Sequence, residues 1–181
     1  PALLSLMGRH AEGALDVLEF RRAQESLAAN LAARRATEPD RVSLADRLER
    51  MNDAAERDQP ARAAELDLSF HIAVAEAAHN TMLLQVMRAI YALLGRAPVP
   101  SREALHAMPD SRRQLAEQHR ALADAVIAGE PERAAEAAAA HVDYLIEAAE
   151  AERLHLRRTR IARKRGQVAG LPGAFFPPER R

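Results

Sequence analysis

The sequence contains no cysteine and no tryptophan, and aromatic residues make up only 3% of its 181 positions. Without cysteine the chain cannot form disulfide bonds, thiolate metal sites, iron–sulfur clusters or a cysteine nucleophile. Strands favour aromatic and β-branched residues, so the scarcity of aromatics and alanine-rich stretches such as 134–140 argue against a β-rich fold. The 26 basic residues balance 26 acidic residues. This balance gives no indication of nucleic acid, membrane or an acidic substrate as a partner.

Capping residues, prolines and glycines divide the chain into six predicted helices and no strand. Apolar residues recur every three or four positions within the segments, as in amphipathic helices. Thr37 with Pro39 marks one helix start, and Gly129 followed by Pro131 marks an end and a new start. We therefore expect an all-α bundle with helices over about 13–35, 38–57, 60–78, 82–96, 110–129 and 131–158, and one helical turn within 101–106.

The composition changes near the end of the sixth predicted helix. We expect one helical domain over residues 1–158 and a basic tail over 159–181, which contains glycine and proline and is poorly ordered. The arginines within 157–165 could contact phosphates, but such a charge run is more often the solvated end of a helix. No apolar run is long enough to span a bilayer and no signal segment opens the chain, so we expect a cytoplasmic protein.

Polar side chains that can bind a metal fall on the apolar faces of three predicted helices. Asp67 and His71 are four residues apart and therefore share one face of the third helix. His119 lies in the middle of the apolar stripe of the fifth helix, and His141 lies in that of the sixth. An unpaired buried carboxylate is costly, so Asp67 needs a partner. We expect these four side chains to converge between the helices.

One carboxylate and three imidazoles form a plausible ligand set for a divalent ion. The set suits zinc, nickel, cobalt, manganese or iron(II), and we place zinc and nickel first. A hydrogen-bonded cluster is the alternative, since a single histidine on an apolar face is usually a core residue with a polar neighbour. His79, about 80° around an ideal helix from His71, is a weaker candidate for a substitute ligand.

Several segments resemble one known family in their order and spacing. Residues 67–71 (DLSFH) and 75–80 (AEAAHN) resemble the D-x-x-F-H…A-x-x-N signature of the FCD domain. This is the effector-binding, C-terminal domain of FadR-type regulators in the GntR family. Residues 117–125 (EQHRALADA) resemble the family segment E-x-H-x-x-I-x-x-A-I, and 19–25 (EFRRAQE) resemble E-x-R-x-x-x-E. Residues 129–135 (GEPERAA), followed by His141, resemble G-D-x-x-x-A…H.

The resemblance implies an antiparallel bundle of six to seven helices with a central ligand or metal cavity. In the metal-binding branch of the family, one aspartate and three histidines at these positions hold a divalent ion, which assigns Asp67, His71, His119 and His141. A small organic acid commonly binds beside the metal. The resemblance assigns Arg21 to this effector, because a planar guanidinium suits a carboxylate. It assigns Asn80 to the effector as well, although Asn80 also suits a helix cap.

The resemblance also implies partners. Such regulators carry an N-terminal winged helix-turn-helix of roughly seventy residues, and we find no recognition-helix pattern in this sequence. We expect DNA binding only through that absent domain of a parent protein. We also expect a homodimer and a small carboxylate metabolite as effector, whose differential affinity for two states would modulate DNA binding.

Two other functions stay open from the residues alone. A helical-bundle metalloenzyme could use the Asp/His site to activate water, with Glu65, Glu76 or Glu117 as the base. By helical phase, Glu65 and Glu76 do not share the face of Asp67, and we expect no catalytic residues. A bundle whose aspartate and histidines are only hydrogen-bonded would bind no stoichiometric metal. We favour the sensor over both.

Overall fold

Six helices form where the capping residues and chain breaks predict them. The computed structural model describes residues 13–94, 105–106 and 108–169. The all-α prediction is confirmed, because this described part contains helices and turns and no strand. The links that the structure describes in full, at 36–37, 57–59, 78–80 and 129–130, are short, as expected for an antiparallel bundle. The helices are α1 (Gly13–Arg35), α2 (Glu38–Glu56), α3 (Pro60–Ala77), α4 (Thr81–Leu94), α5 (Pro109–Ala128) and α6 (Pro131–Ala169).

Local polar contacts explain where three of these helices begin or end. The Asp40 carboxylate accepts hydrogen bonds from the Thr37 backbone N–H (2.8 Å) and hydroxyl (2.6 Å), so it ties down the start of α2. Asn80 Oδ1 accepts a bond of 3.1 Å from the Leu83 N–H and caps the start of α4. Helix α5 ends at Gly129, whose φ of 72° lies in the left-handed region that glycine adopts without steric cost.

Helix α6 is longer than the sequence predicted. We expected it to end at Arg158 and a poorly ordered tail to begin at residue 159, yet the helix continues to Ala169. Arginine and alanine are strong helix formers, and a single glycine at position 166 lowers helix stability by only about 1 kcal/mol. The helix prediction was therefore too short, and residues 170–181 lie outside the described part. The end of the predicted fourth helix and most of the predicted turn within 101–106 also lie outside it; Leu105 and His106 are helical.

An alanine-rich apolar core holds the bundle together. Helix α1 packs mainly against α6, α2 packs against α3, and α5 packs against α6. Small side chains at these contacts allow the helix axes to approach closely. We define the apolar core by its larger side chains, Leu44, Phe70, Val74, Leu122 and Val126, and by the alanines packed among them, Ala29, Ala32, Ala33, Ala73, Ala77, Ala123, Ala125, Ala134 and Ala138. None of the helices in the described part is long and apolar enough to cross a membrane.

Candidate metal centre

The structure brings together the four side chains that the sequence singled out. Helix α3 carries Asp67 and His71 one turn apart, α5 supplies His119, and α6 supplies His141. All four are buried, and each offers a ligand atom that lies within 4.8 Å of those of the other three. The ring of Phe70 packs edge-on against His71 and His119, with centroid distances of 5.5 and 5.4 Å. The apolar core therefore borders the cluster and helps to fix its rings.

The closest contacts in the cluster join atoms that can all act as ligands. His119 Nε2 lies 3.0 Å from Asp67 Oδ1 and 3.2 Å from His71 Nε2. His71 Nε2 in turn lies 3.8 Å from Asp67 Oδ1. The His141 ring lies 4.8 Å from the His71 ring and 4.6 Å from the His119 ring, measured between centroids. A carboxylate oxygen and imidazole nitrogens thus converge on one small volume.

Neighbouring polar groups select which ring nitrogen of two histidines carries the proton. His71 Nδ1 lies 3.2 Å from Glu25 Oε2, a carboxylate oxygen that can only accept. His141 Nδ1 lies 3.1 Å from Gln118 Oε1, which is likewise an acceptor. Protons on these Nδ1 atoms leave both Nε2 atoms with a lone pair. Such second contacts orient histidine ligands in metal sites and fix their tautomers.

The electrostatic surroundings hold the cluster in the protonation states that metal ligation needs. Burial lowers the pKa of His119, and burial together with the neighbouring His119 and His71 rings lowers the pKa of His141 well below its usual range. Burial alone would raise the pKa of Asp67, but the rings of His106 and His119 outweigh it and hold that pKa well below the usual range. These shifts favour a charged carboxylate on Asp67 and neutral imidazoles on His119 and His141 at neutral pH.

Hydrogen bonding alone does not satisfy this cluster. A proton on His119 Nε2 can be shared between Asp67 Oδ1 and His71 Nε2, which accounts for the two short contacts. It leaves His119 Nδ1 and His141 Nε2 buried without a hydrogen-bond partner among the described residues. Buried polar atoms without partners are rare and costly. The donor set of three imidazoles and one carboxylate fits a divalent ion, which would also engage the free Nε2 atom of His141.

Arg21 lies in a buried polar network that reaches the cluster through Glu25. Arg21 Nε donates to Glu25 Oε1, and the Tyr91 hydroxyl donates to the same oxygen at 2.5 Å. Burial opposes the charge of Arg21, but Glu25 and Tyr91 outweigh it and raise the pKa of Arg21. Burial likewise opposes ionisation of Glu25, and Arg21 and His71 hold its pKa well below the usual range. Arg21 Nη2 is buried and has no hydrogen-bond partner within the described residues.

Two predicted residues lie apart from the cluster. Asn80, proposed as an effector contact, caps α4 through Leu83, and its role toward an effector stays a prediction. His79, the substitute ligand, is exposed on the surface, where its Nε2 lies 2.9 Å from Asp40 Oδ2. His79 therefore contacts a carboxylate at the surface and lies outside the buried cluster.

The carboxylates considered as bases for an enzyme lie on the surface. Glu65, Glu76 and Glu117 are all exposed. Glu65 pairs with Arg62 at 2.7 Å, and Glu76 pairs with Arg88 at 3.1 Å. None of the three is therefore placed beside the buried cluster.

Sequence reasoning missed His106, which is buried beside the cluster. This histidine stands at the end of the turn predicted within 101–106, where we expected no site residue, yet its Nε2 lies 3.8 Å from Asp67 Oδ1. Sequence reasoning also missed Gln118 as the partner of His141, although Gln118 precedes a predicted ligand directly. No periodic signal could have found His106, because it precedes α5 and lies on no amphipathic helix stripe.

Comparison with known proteins now identifies the family. A family model for the FCD domain matches residues 16–144, most of the chain. The chain belongs to the FCD domain family. Curated relatives of this FCD chain are named as regulators: the putative L-lactate dehydrogenase operon regulatory protein of Escherichia coli K12 is 36% identical over 79% of the chain. The HTH-type transcriptional regulator LutR of Bacillus subtilis strain 168 is 31% identical over 72% of the chain.

A third relative and a solved structure agree with this assignment. The Glc operon transcriptional activator of Escherichia coli K12 is 29% identical over 77% of the FCD chain. The FCD chain spans about half the length of the curated relatives it matches, 54% for the first relative and 56% for the third. The structure of E. coli McbR/YncC matches with a TM-score of 0.69 over 79% of this chain and 70% of its own, at 19% identity. This last match supports the fold.

Proposed function

We propose that this FCD domain is the effector-sensing part of a GntR-type transcriptional regulator and binds a divalent metal through Asp67, His71, His119 and His141. One observation carries the metal assignment: four buried side chains from three helices place their ligand atoms within 4.8 Å of one another. Three of these atoms, on Asp67, His71 and His119, lie as close as 3.0 to 3.8 Å. When bound, the ion would supply a positive charge to which an anionic molecule can coordinate. Zinc and nickel are the first candidates.

The charges of the site favour a small carboxylate as the effector. Among the described residues, the two buried carboxylates of Glu25 and Asp67 would be outweighed by the guanidinium of Arg21 and a divalent cation, which leaves a single positive charge on these groups. A buried net charge is costly unless a counter-ion accompanies it. Arg21 Nη2 is a buried donor without a partner within the described residues, and it suits a carboxylate oxygen.

The names of the relatives suggest which carboxylates to try and which partners to expect. One relative is named for the L-lactate dehydrogenase operon, so L-lactate is the first probe. A hydroxy acid can offer both a hydroxyl and a carboxylate to a metal. In the complete regulator, an effector that binds one arrangement of the bundle more tightly would shift a dimer between two states. A DNA-binding domain elsewhere in the protein would respond to that shift.

Metal content per chain tests the proposal directly. We expect elemental mass spectrometry to find close to one divalent metal per chain after purification without an affinity metal column. His119→Ala removes a central ligand and should leave little metal. His155→Ala, at an exposed position of α6, is the matched control and should keep the parental content. Absence of metal from both the parent and His155→Ala, even after loading with zinc or nickel, would contradict the metal site.

A separate measurement tests the effector. We expect L-lactate, acetate or citrate to raise the melting temperature of the metal-loaded chain, because a ligand that binds only the folded state stabilises it. Arg21→Lys keeps the charge near Glu25 but loses the planar fork, so it should weaken the effector response while metal content is retained. An unchanged response in this variant would exclude Arg21 from the effector site.

A further inference from the structure

His106 is a buried histidine whose ring nitrogens find no hydrogen-bond partner in the part of the chain that the structure describes. The residue is 3% exposed, and neither Nδ1 nor Nε2 has a hydrogen-bond partner within the described residues. Each unpartnered buried polar atom carries a desolvation cost. A leucine of similar size would avoid that cost, so packing alone does not account for a histidine here. Its ring is also in the most polar part of the interior, beside Asp67.

The position of His106 separates it from the proposed metal ligands. Its Nε2 lies 3.8 Å from Asp67 Oδ1, which is too far for a direct hydrogen bond. His106 also lies outside the group of four side chains whose ligand atoms are all within 4.8 Å of one another. It therefore lies beside Asp67 and next to the ligand set without belonging to it.

The local backbone holds His106 in this position. The preceding residue, Leu105, is buried and anchors the turn. The Leu105 carbonyl accepts a hydrogen bond from the Met108 N–H at 3.3 Å, directly before Pro109 opens α5. His106 thus lies between a buried residue and a backbone hydrogen bond that both precede α5.

We infer that His106 is an effector-contact residue, which donates a hydrogen bond to an oxygen of the small carboxylate bound beside the metal. The inference rests on the proposed function, since it requires an anionic effector at the metal centre. An oxygen of that molecule would give a ring nitrogen of His106 the partner that the described residues do not provide. The segment before α5 would then contact the effector along with α1, which carries Arg21.

The test combines one apolar and one polar replacement of His106. Zinc-loaded parent, His106→Leu and His106→Gln are titrated calorimetrically with L-lactate, acetate and citrate. For the carboxylate that binds the parent most tightly, we expect the affinity of His106→Leu to fall about tenfold, as for one lost hydrogen bond to a charged group. Zinc content should stay parental, and the melting temperature without effector should be equal or higher. His106→Gln retains a donor and should recover part of the affinity.

His155→Leu on the exposed face of α6 is the matched control and should bind zinc and carboxylate like the parent. Unchanged carboxylate affinity in His106→Leu, with a lower melting temperature, would show that His106 only packs in the interior. This result would overturn the inference and leave the proposed function standing. Loss of zinc from His106→Leu would place it in the metal site and also overturn it. If the zinc-loaded parent binds none of the three carboxylates, the proposed effector fails and this inference fails with it. If the parent binds no zinc, the proposed metal site fails, and the inference that depends on it fails too.

Discussion

Two histidine–aspartate pairs in the described part of the chain have almost equal lengths but opposite surroundings. His79 Nε2 lies 2.9 Å from Asp40 Oδ2 at the surface, and His119 Nε2 lies 3.0 Å from Asp67 Oδ1 in the interior. The side chain of His79 is 48% exposed, whereas that of His119 is fully buried. Distance therefore does not distinguish the two pairs, and their different consequences must come from burial and from what else surrounds each pair.

At the surface, water provides alternative partners for both members of the pair. The pKa of Asp40 is lowered first by the Thr37 hydroxyl, and the contribution of His79 is smaller. In the interior, Asp67 and His119 are shielded from water, and the described residues leave ring nitrogens of His119, His141 and His106 without a hydrogen-bond partner. The same two residue types thus form a minor structural contact at one place and, as we propose, part of a metal site at the other.

The largest expected effect concerns metal removal. If free metal exceeds its dissociation constant about a thousandfold, binding stabilises the folded chain by about 4 kcal/mol. We therefore expect a chelator to lower the free energy of unfolding of the metal-loaded parent by about that amount, measured by denaturant titration. His119→Leu lacks the interior site and should show no chelator effect.

The surface pair sharpens this comparison. His79→Ala should retain the full chelator effect, because His79 takes no part in the proposed metal site. A chelator effect that persists in His119→Leu, or disappears in His79→Ala, would reverse the roles that we assign to the two pairs.

The pH dependence of stability should also come from the interior. In chelator, the pKa values of His119 and His141 are lowered in the folded chain relative to the ordinary value of 6.5. The unfolded chain therefore takes up more protons than the folded chain as pH falls below 6.5, and stability is lost with acid. Between pH 7 and 5, each histidine contributes a slope of up to about 1.4 kcal/mol per pH unit. Asp67 and Glu25 stay charged there because their pKa values are depressed.

Replacement of one buried histidine tests this origin. His141→Leu should reduce the slope of the free energy of unfolding against pH, measured in chelator, by about the contribution of one histidine. His79→Ala changes an exposed group and should leave the slope unchanged. Equal slopes in the parent and His141→Leu would show that the acid sensitivity arises elsewhere in the chain.

The sequence predicted the part of the site that depends on helix periodicity. Asp67, His71, His119 and His141 could be found because each interrupts an apolar stripe, and a stripe indicates which face is buried. Helix starts such as the one at Thr37 could also be predicted, because helix caps depend on residues that are close in the sequence. Phe70, next to His71 in the sequence, belongs to the same apolar stripe, so the stripe also predicted apolar packing beside the cluster.

The part of the site that the sequence did not predict depends on contacts between segments that are distant in the chain. The approach of His106 to Asp67 joins positions 39 residues apart and leaves no periodic trace. The contact between His71 and Glu25 requires α1 and α3 to pack in one register. The end of α6 was missed for a different reason: residues 159–165 have the propensity to continue a helix, but we assigned them to the tail together with the glycine- and proline-containing residues that follow.

The smallest expected effect is at the surface pair itself. An exposed ion pair contributes at most about 1 kcal/mol, so His79→Ala should lower the free energy of unfolding by no more than that. His79 also follows the end of α3 with a φ of 47°, in the left-handed region that disfavours side chains. His79→Gly removes this steric cost, about 1 kcal/mol, along with the ion pair, so it should be as stable as the parent. Denaturant titration of the parent, His79→Ala and His79→Gly in chelator measures the free energies of unfolding. A loss of several kcal/mol in either variant would show that the exposed pair stabilises the fold as strongly as a buried one.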